Sequence, residues 1–179
     1  MPFVQLHEVL PEVAKAETRS MTTIDGGEAG ETYFLVEMFC NEPGCDCRRA
    51  FIQVFSEDNT VEQPRATISW GWEPEEFYRR WAGFPLDDEE LAELRGPALV
   101  RMARQTEDAE DLLEHFRVVI GDEAYAQRIV RHYQQFRRTV APPRSSGGTR
   151  TPRRKVVAKR RAQNKQRRKT KAKQRKKRK

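Results

Sequence analysis

Thr32-Tyr33-Phe34-Leu35-Val36-Glu37-Met38-Phe39-Cys40 and Arg49-Ala50-Phe51-Ile52-Gln53-Val54-Phe55-Ser56 decide the fold class. Both runs are rich in aromatic and β-branched residues and apolar on both faces, the pattern of strands covered on two sides. In the second, Ala50, Ile52 and Val54 alternate with Phe51, Gln53 and Phe55. The turn signal Asn41-Glu42-Pro43-Gly44 between them predicts a β-hairpin with Cys40 near one stem and Cys47 near the other. A third strand is expected over Ala66–Trp72, after the polar loop Glu57–Pro64.

Helices surround these strands. Leu10 to Glu17 reads as a short helix with Pro11 at the first helical position, where its missing N–H costs nothing. Asp25-Gly26-Gly27 and Gly30 mark a loop. Beyond Trp72 the period changes to that of helices: Glu75–Trp81, then Asp87–Arg95 stopped by Gly96-Pro97, then Ala98–Arg104. Leu112, Leu113, Phe116, Val119 and Ile120 share one helical face, as do Tyr125, Ile129, Tyr133 and Phe136, with Gly121 between the two helices. Roughly 140 residues suffice for one core. The expected class is α+β: a small antiparallel three-stranded meander packed with N-terminal and C-terminal helices.

The charges are segregated along the 179 residues. Of 34 Lys and Arg, 19 lie in 142–179 with no Asp or Glu, so 1–141 holds the other 15 against all 27 acidic residues. An acidic domain over 1–141 followed by a basic arm over 142–179 is the organisation this implies. Ala141-Pro142-Pro143-Arg144-Ser145-Ser146-Gly147-Gly148 reads as a linker. In the arm Val156 and Val157 are the only sizeable apolar residues, too few to offset the entropy of ordering it, so it is expected to be disordered when free. No apolar run approaches the ~20 residues of a membrane span. Met1 to Glu8 has neither a basic nor an apolar signal region. A cytoplasmic protein is expected.

All three cysteines, Cys40, Cys45 and Cys47, fall on the one hairpin. Thiolates suit zinc, and a Pro43-Gly44 turn can bring three sulfurs to roughly 2.3 Å from one ion. A closed tetrahedral site needs a fourth ligand. His132, on the last helix between Ile129 and Phe136, is the first candidate; His7, His115 and Asp46 are the others. Two alternatives stay open: three packing thiols, or a redox-active pair. Arg48 and Arg49 set positive charge beside the thiolates, with one of the two expected to face solvent.

Tyr33-Phe34-Leu35-Val36-Glu37, Cys40 through Arg49 with its Cys-x4-Cys-Asp-Cys-Arg-Arg pattern, Ala66-Thr67-Ile68-Ser69-Trp70-Gly71-Trp72-Glu73, Phe77-Tyr78-Arg79-Arg80-Trp81 and Arg131-His132-Tyr133 together resemble a group of uncharacterised bacterial proteins. Some similar proteins carry an added SEC-C zinc motif; this chain has a polycation there instead. The resemblance implies a bacterial, cytoplasmic origin and a metal-binding hairpin, and brings no activity with it.

The basic arm points to a polyanion. Arg153, Arg154, Lys155, Lys159, Arg160, Arg161, Arg167, Arg168, Lys169, Arg175, Lys176, Lys177, Arg178 and Lys179 are the residues expected to contact nucleic acid, RNA or DNA, by releasing counterions from phosphates. The arm has no aromatic residue, so it supplies affinity and little sequence reading. Arg128, Arg131, Arg137 and Arg138 either extend this charge or form a solvated helix face. The acidic runs Asp87–Glu90 and Glu107–Asp111 read as first turns of helices, the alternative being patches onto which the basic arm folds back. No Gly-rich phosphate loop, Gly-x-Ser-x-Gly elbow or His-Glu-x-x-His occurs. A non-enzymatic role is expected, either tethered to nucleic acid or as an adaptor whose 1–141 body binds a protein partner. Neither reading involves a membrane. Trp70, Trp72 and Trp81 fit a ligand pocket or the core.

Overall fold

The computed structural model describes residues 3–25, 28–58 and 63–140, all within the first of the two units into which the chain divides, Met1–Pro142. The nucleic-acid-binding residues expected between Arg153 and Lys179, and the disorder expected of 142–179, lie outside the described residues. In chain order the elements are β1 (Phe3–Gln5), α1 (Leu6–Val9), α2 (Pro11–Glu17), β2 (Arg19–Asp25), β3 (Glu28–Cys40), β4 (Arg49–Ser56), β5 (Ala66–Gly71), α3 (Glu75–Ala82), α4 (Asp88–Arg95), β6 (Ala98–Leu99), α5 (Ala109–Ile120) and α6 (Glu123–Val140).

The α+β class and the antiparallel β3-β4-β5 meander match the sequence reading, but the sheet has six strands rather than three. Strand order is β1-β3-β4-β5-β6, with β2 also paired to β3. The long β3 serves two short partners: Phe3 lies opposite Cys40, and Arg19 opposite Leu35. The helix expected over 98–104 does not form: Ala98–Leu99 is β6 and 100–104 is turn and irregular backbone. The pairing of Leu99 with Ile68 captures a segment too short to gain much as a helix. Gly30, expected in a loop, lies inside β3.

Register fixes which side chains face inward. Leu35, Glu37 and Phe39 stand opposite Val54, Ile52 and Ala50, and Ile52 opposite Ile68, so one face of the sheet is continuous. Against it pack Leu112, Leu113 and Phe116 of α5 and Tyr125, Ile129 and Phe136 of α6. The Phe39 ring meets those of Tyr133 and Phe136 at 5.9 and 5.5 Å. Each large apolar side chain buried here contributes about 1.5–3 kcal/mol relative to exposure. Leu6 and Ala14 of the N-terminal helices join this core. Pro11 opens α2 as expected.

The outer face is covered only in part, contrary to the expectation of strands enclosed on both sides. α4 packs against β5 on this side, and Ser69 and Thr67 are buried, Thr67 with its backbone bonded to the Gln105 side chain. Farther across, Phe34 is 39% exposed and Val36, Met38, Phe51 and Phe55 are half-buried. Phe3 stacks on Phe51 at 3.9 Å, and Gln5 bonds Gln53 at 2.6 Å.

Both acidic runs occupy first turns. Asp87 caps α4, accepting from the Glu90 N–H at 2.7 Å, while the Glu90 carboxylate accepts the Asp87 N–H. Asp108, at the start of α5, is tied to Arg65 at 2.7 Å. Gly96 follows α4 at φ 61°, ψ −172°, a region essentially restricted to glycine, and a Cβ there would stand 1.9 Å from the Ser69 carbonyl oxygen. Gly83 also has positive φ but open space around its missing Cβ. Gly96→Ala is therefore expected to cost ~3 kcal/mol or more and Gly83→Ala about 1 kcal/mol, read as thermal unfolding of the two variants. Among the described residues no helix is long and apolar enough to cross a membrane.

Candidate metal centre

The loop between β3 and β4 folds back on itself because its backbone is held at several points. Gly44 takes φ 73°, and the Cys45 N–H donates to the Glu42 carbonyl at 3.1 Å. Arg137 of α6 donates from Nη1 to the carbonyls of Cys40 and Glu42, at 3.0 and 3.2 Å. On the other side the Tyr78 hydroxyl donates to the Arg48 carbonyl at 2.8 Å. Arg48 itself sits at φ 46°, uncommon outside glycine. Its guanidinium pairs with Asp46 at 3.0 Å and Glu73 at 2.8 Å and lies 4.7 Å from the centre of the Phe77 ring.

These restraints bring the three cysteines together: the sulfurs of Cys40, Cys45 and Cys47 all lie within 4.8 Å of one another, close enough to hold one metal ion. No disulfide joins them. Cys40 and Cys47 are buried and Cys45 is half-buried, so the cluster has an inner wall and one side nearer solvent.

The thiols are electrostatically unequal. Cys40 is pulled far below the ordinary thiol range by hydrogen bonds from the Cys45 and Cys47 thiols, which outweigh the opposing effect of its burial; the Glu42 backbone N–H and the Arg137 guanidinium add to the pull. Cys45 is pushed up because its thiol serves as donor to Cys40, and then to Cys47. Cys47 is pushed up to about 11, mainly by donating to Cys40, then by burial. In the metal-free cluster Cys40 is thus the thiol that ionises most readily, while Cys45 and Cys47 hold their protons longer. A dication has to displace the protons of Cys45 and Cys47, so affinity falls as pH falls. Over the range in which both are protonated, metal titrations are expected to show roughly a hundredfold loss of affinity per pH unit. A pH-independent affinity would contradict the cluster as the binding site.

His132, expected as the fourth ligand, is placed elsewhere. It is fully buried; Nδ1 lies 2.8 Å from Glu37 Oε2, and Nε2 faces Glu17 Oε2 at 3.4 Å. Glu37 projects from the inner face of β3, where α6 covers it, and this buried partner holds the imidazole. Asp46 is engaged through both carboxylate oxygens by Arg48. His115 Nδ1 is 2.7 Å from the Asp111 carbonyl oxygen, and His7 lies exposed on α1. Among the described residues the side chains of this group are three thiols alone. The donor set suits a soft or borderline cation such as zinc. The fourth position of a tetrahedral ion falls to solvent or to a group outside the described residues.

Of the two arginines, Arg48 is the one that reaches solvent, its side chain 40% exposed while paired with Asp46 and Glu73. Arg49 is 7% exposed, with its guanidinium over the rings of Phe51, Phe3 and Trp81 and its charge acting on Cys47. Arg128 and Arg131 are paired with Glu17, so two cations assigned to a polyanion surface are partly engaged within the body. The parts unforeseen from sequence are Arg137, Tyr78 and Glu73, which brace the cysteine loop from α6 and from the segment after β5. Their only signal was proximity in three dimensions. Trp70 and Trp72 line a groove, whereas Trp81 packs beside Arg49.

Comparison of the chain with protein-family models, with curated proteins and with solved structures gives no match.

Proposed function

We propose that this is a non-enzymatic, zinc-stapled domain, working in the cytoplasm, that its basic arm tethers to RNA or DNA in a ribosome- or nucleoid-associated role. The observation that carries the reading is the segregation of charge: 19 cations and no acid over 142–179, after a body in which 27 acids outnumber 15 cations. A body of that sign is repelled by phosphate, so attachment falls to the arm. The cysteine cluster supports the zinc, which would be held by Cys40, Cys45 and Cys47 and would fix the loop between β3 and β4. Zinc there is structural: it crosslinks the end of β3 to the start of β4 and compensates the charge of three thiolates.

The test is a salt series on the full chain and on residues 1–141, whose core is built from that segment's own residues. Six to ten phosphate contacts predict a loss of about 10³–10⁵ in affinity between roughly 50 and 200 mM salt. Removing 142–179 is expected to abolish binding to a nucleic-acid duplex. Equal binding by 1–141 would overturn the reading.

The second reading is an adaptor whose body recognises a protein partner while the arm only localises it. One observation favours it: the outer sheet face presents Phe34, Val36, Met38, Phe51 and Phe55 half-buried or exposed, with Arg49 lying over Phe51 at its edge. On that reading Phe34→Glu with Phe55→Glu releases the body's partner and leaves polyanion binding intact. On the first reading it changes neither.

A further inference from the structure

A groove of about 880 Å³ opens between the end of β5 with its following turn, the C-terminal end of α4, and one face of α6. Trp70 and Trp72 line it, their rings 5.6 Å apart and inclined at 47°. Trp72 is braced from behind by Tyr133, edge to face at 5.0 Å. Its polar lining comes from Arg95, Arg131, Gln127, Gln134 and Glu73.

The charges of this lining are unlike the body around it. Glu73, the one acidic side chain lining the groove among the described residues, is paired with Arg48. Arg95 is exposed at the last turn of α4 and has no ion pair or side-chain hydrogen bond among the described residues. Arg131 is half-exposed and engages Glu17 through Nη2 alone. In a segment where acids outnumber cations, Arg95 and, beside its pairing with Glu17, Arg131 thus line a groove whose one carboxylate among the described residues is already paired. The amides of Gln127 and Gln134 add donors and acceptors able to meet the edge of a base.

We propose that the groove is a binding site for unpaired nucleobases of a single-stranded nucleic acid, with bases against Trp70 and Trp72 and phosphates toward Arg95 and Arg131. Indoles stack on any base, and guanidinium groups track the backbone, which is the pairing by which single strands are held without sequence preference. The site supplies what the arm lacks. The arm has cations and no aromatic residue, and so does not distinguish single from double strands by stacking. In a duplex the bases are already stacked on each other and unavailable to the indoles. This inference rests on the nucleic-acid reading above and makes that partner single-stranded. It also ties the groove to the cysteine loop, since Arg48 between Cys47 and Glu73 links the two.

The test uses the full chain at about 0.15 M salt, with oligo-dT and an oligo-dT·oligo-dA duplex of equal length, following affinity and tryptophan emission. Oligo-dT is expected to quench the emission and to bind more tightly than the duplex. Trp72→Leu and, separately, Arg95→Glu are expected to weaken oligo-dT binding roughly five- to a hundredfold and to affect the duplex far less. Arg95 has no ion pair or side-chain hydrogen bond among the described residues, so its variant carries the test if Trp72→Leu fails to fold. Equal affinity for both probes with no change in emission overturns the groove and leaves the tether standing. Quenching that survives neutral replacement of the arm's lysines and arginines supports the groove, and duplex binding that survives it as well overturns the tether. Quenching by a neutral oligosaccharide and not by oligo-dT overturns the inference in favour of a sugar site.

Discussion

Replacing His132 by leucine is expected to destabilise the body by about 3–5 kcal/mol, while replacing both His132 and Glu37 by leucine costs markedly less. The pair spans 95 residues in sequence and is buried on both sides, His132 fully and Glu37 to 5% exposure. A single substitution strands the other polar group in an apolar surround of Tyr125, Ile129 and Ile52, and breaking such a pair is costly for that reason. Removing both lets two leucines fill the space that the pair occupied. Denaturant unfolding of the two single variants and the double variant measures this directly, as the coupling energy of the cycle. Additive losses would mean that His132 and Glu37 act independently and that the short contact carries no coupling. Metal stoichiometry of the same three variants separates a fold-defining role for His132 from the metal-binding role expected of it, because none of them should change it.

Cys47→Ser has the second large effect. Cys47 is buried within the cluster, so the substitution removes a ligand from the inner wall, and metal affinity is expected to fall at least a hundredfold, beyond the 10–100-fold typical of outer partners. Metal at 100 to 1,000 times its Kd stabilises the wild-type body by about 2.7–4.1 kcal/mol. The thermal transition of the wild type should therefore rise on metal addition, and that of Cys47→Ser should stay where it is. Removing metal from the wild type with a chelator is expected to bring the two transitions close together. A serine variant that still gains stability from metal would place the ion elsewhere.

How far the sequence revealed this architecture depended on whether the deciding contact was local. β4 begins at Arg49 and ends at Ser56 as its alternation indicates, and α2, α3 and α4 carry their boundaries in Pro11, Gly83 and Asp87. The convergence of Cys40, Cys45 and Cys47 was legible because the turn that produces it lies between them. β1 was missed since Phe3-Val4-Gln5 is three residues long and becomes a strand only through Cys40, Phe39 and Met38. β2 had a weak signal in Met21, Thr22, Thr23 and Ile24, diluted by Arg19, Ser20 and Asp25. Its reason to extend is again β3. His132 was misassigned because helical geometry places it on the buried face without saying what it meets there. Glu37, on a strand far away in sequence, decides that. Arg137 reads as one cation of a basic helix end until the cysteine loop folds under it.

The most direct test of the metal centre is the metal content and free-thiol count of the purified full chain, beside a Cys45→Ser variant. About one zinc per chain is expected, with the three thiols unreactive until a chelator is added, and with both metal and protection lost in the variant. No metal taken up from a zinc-containing buffer, with three thiols titrating freely from the start, would contradict the metal centre and leave Cys40, Cys45 and Cys47 as a cluster of reactive or packing thiols.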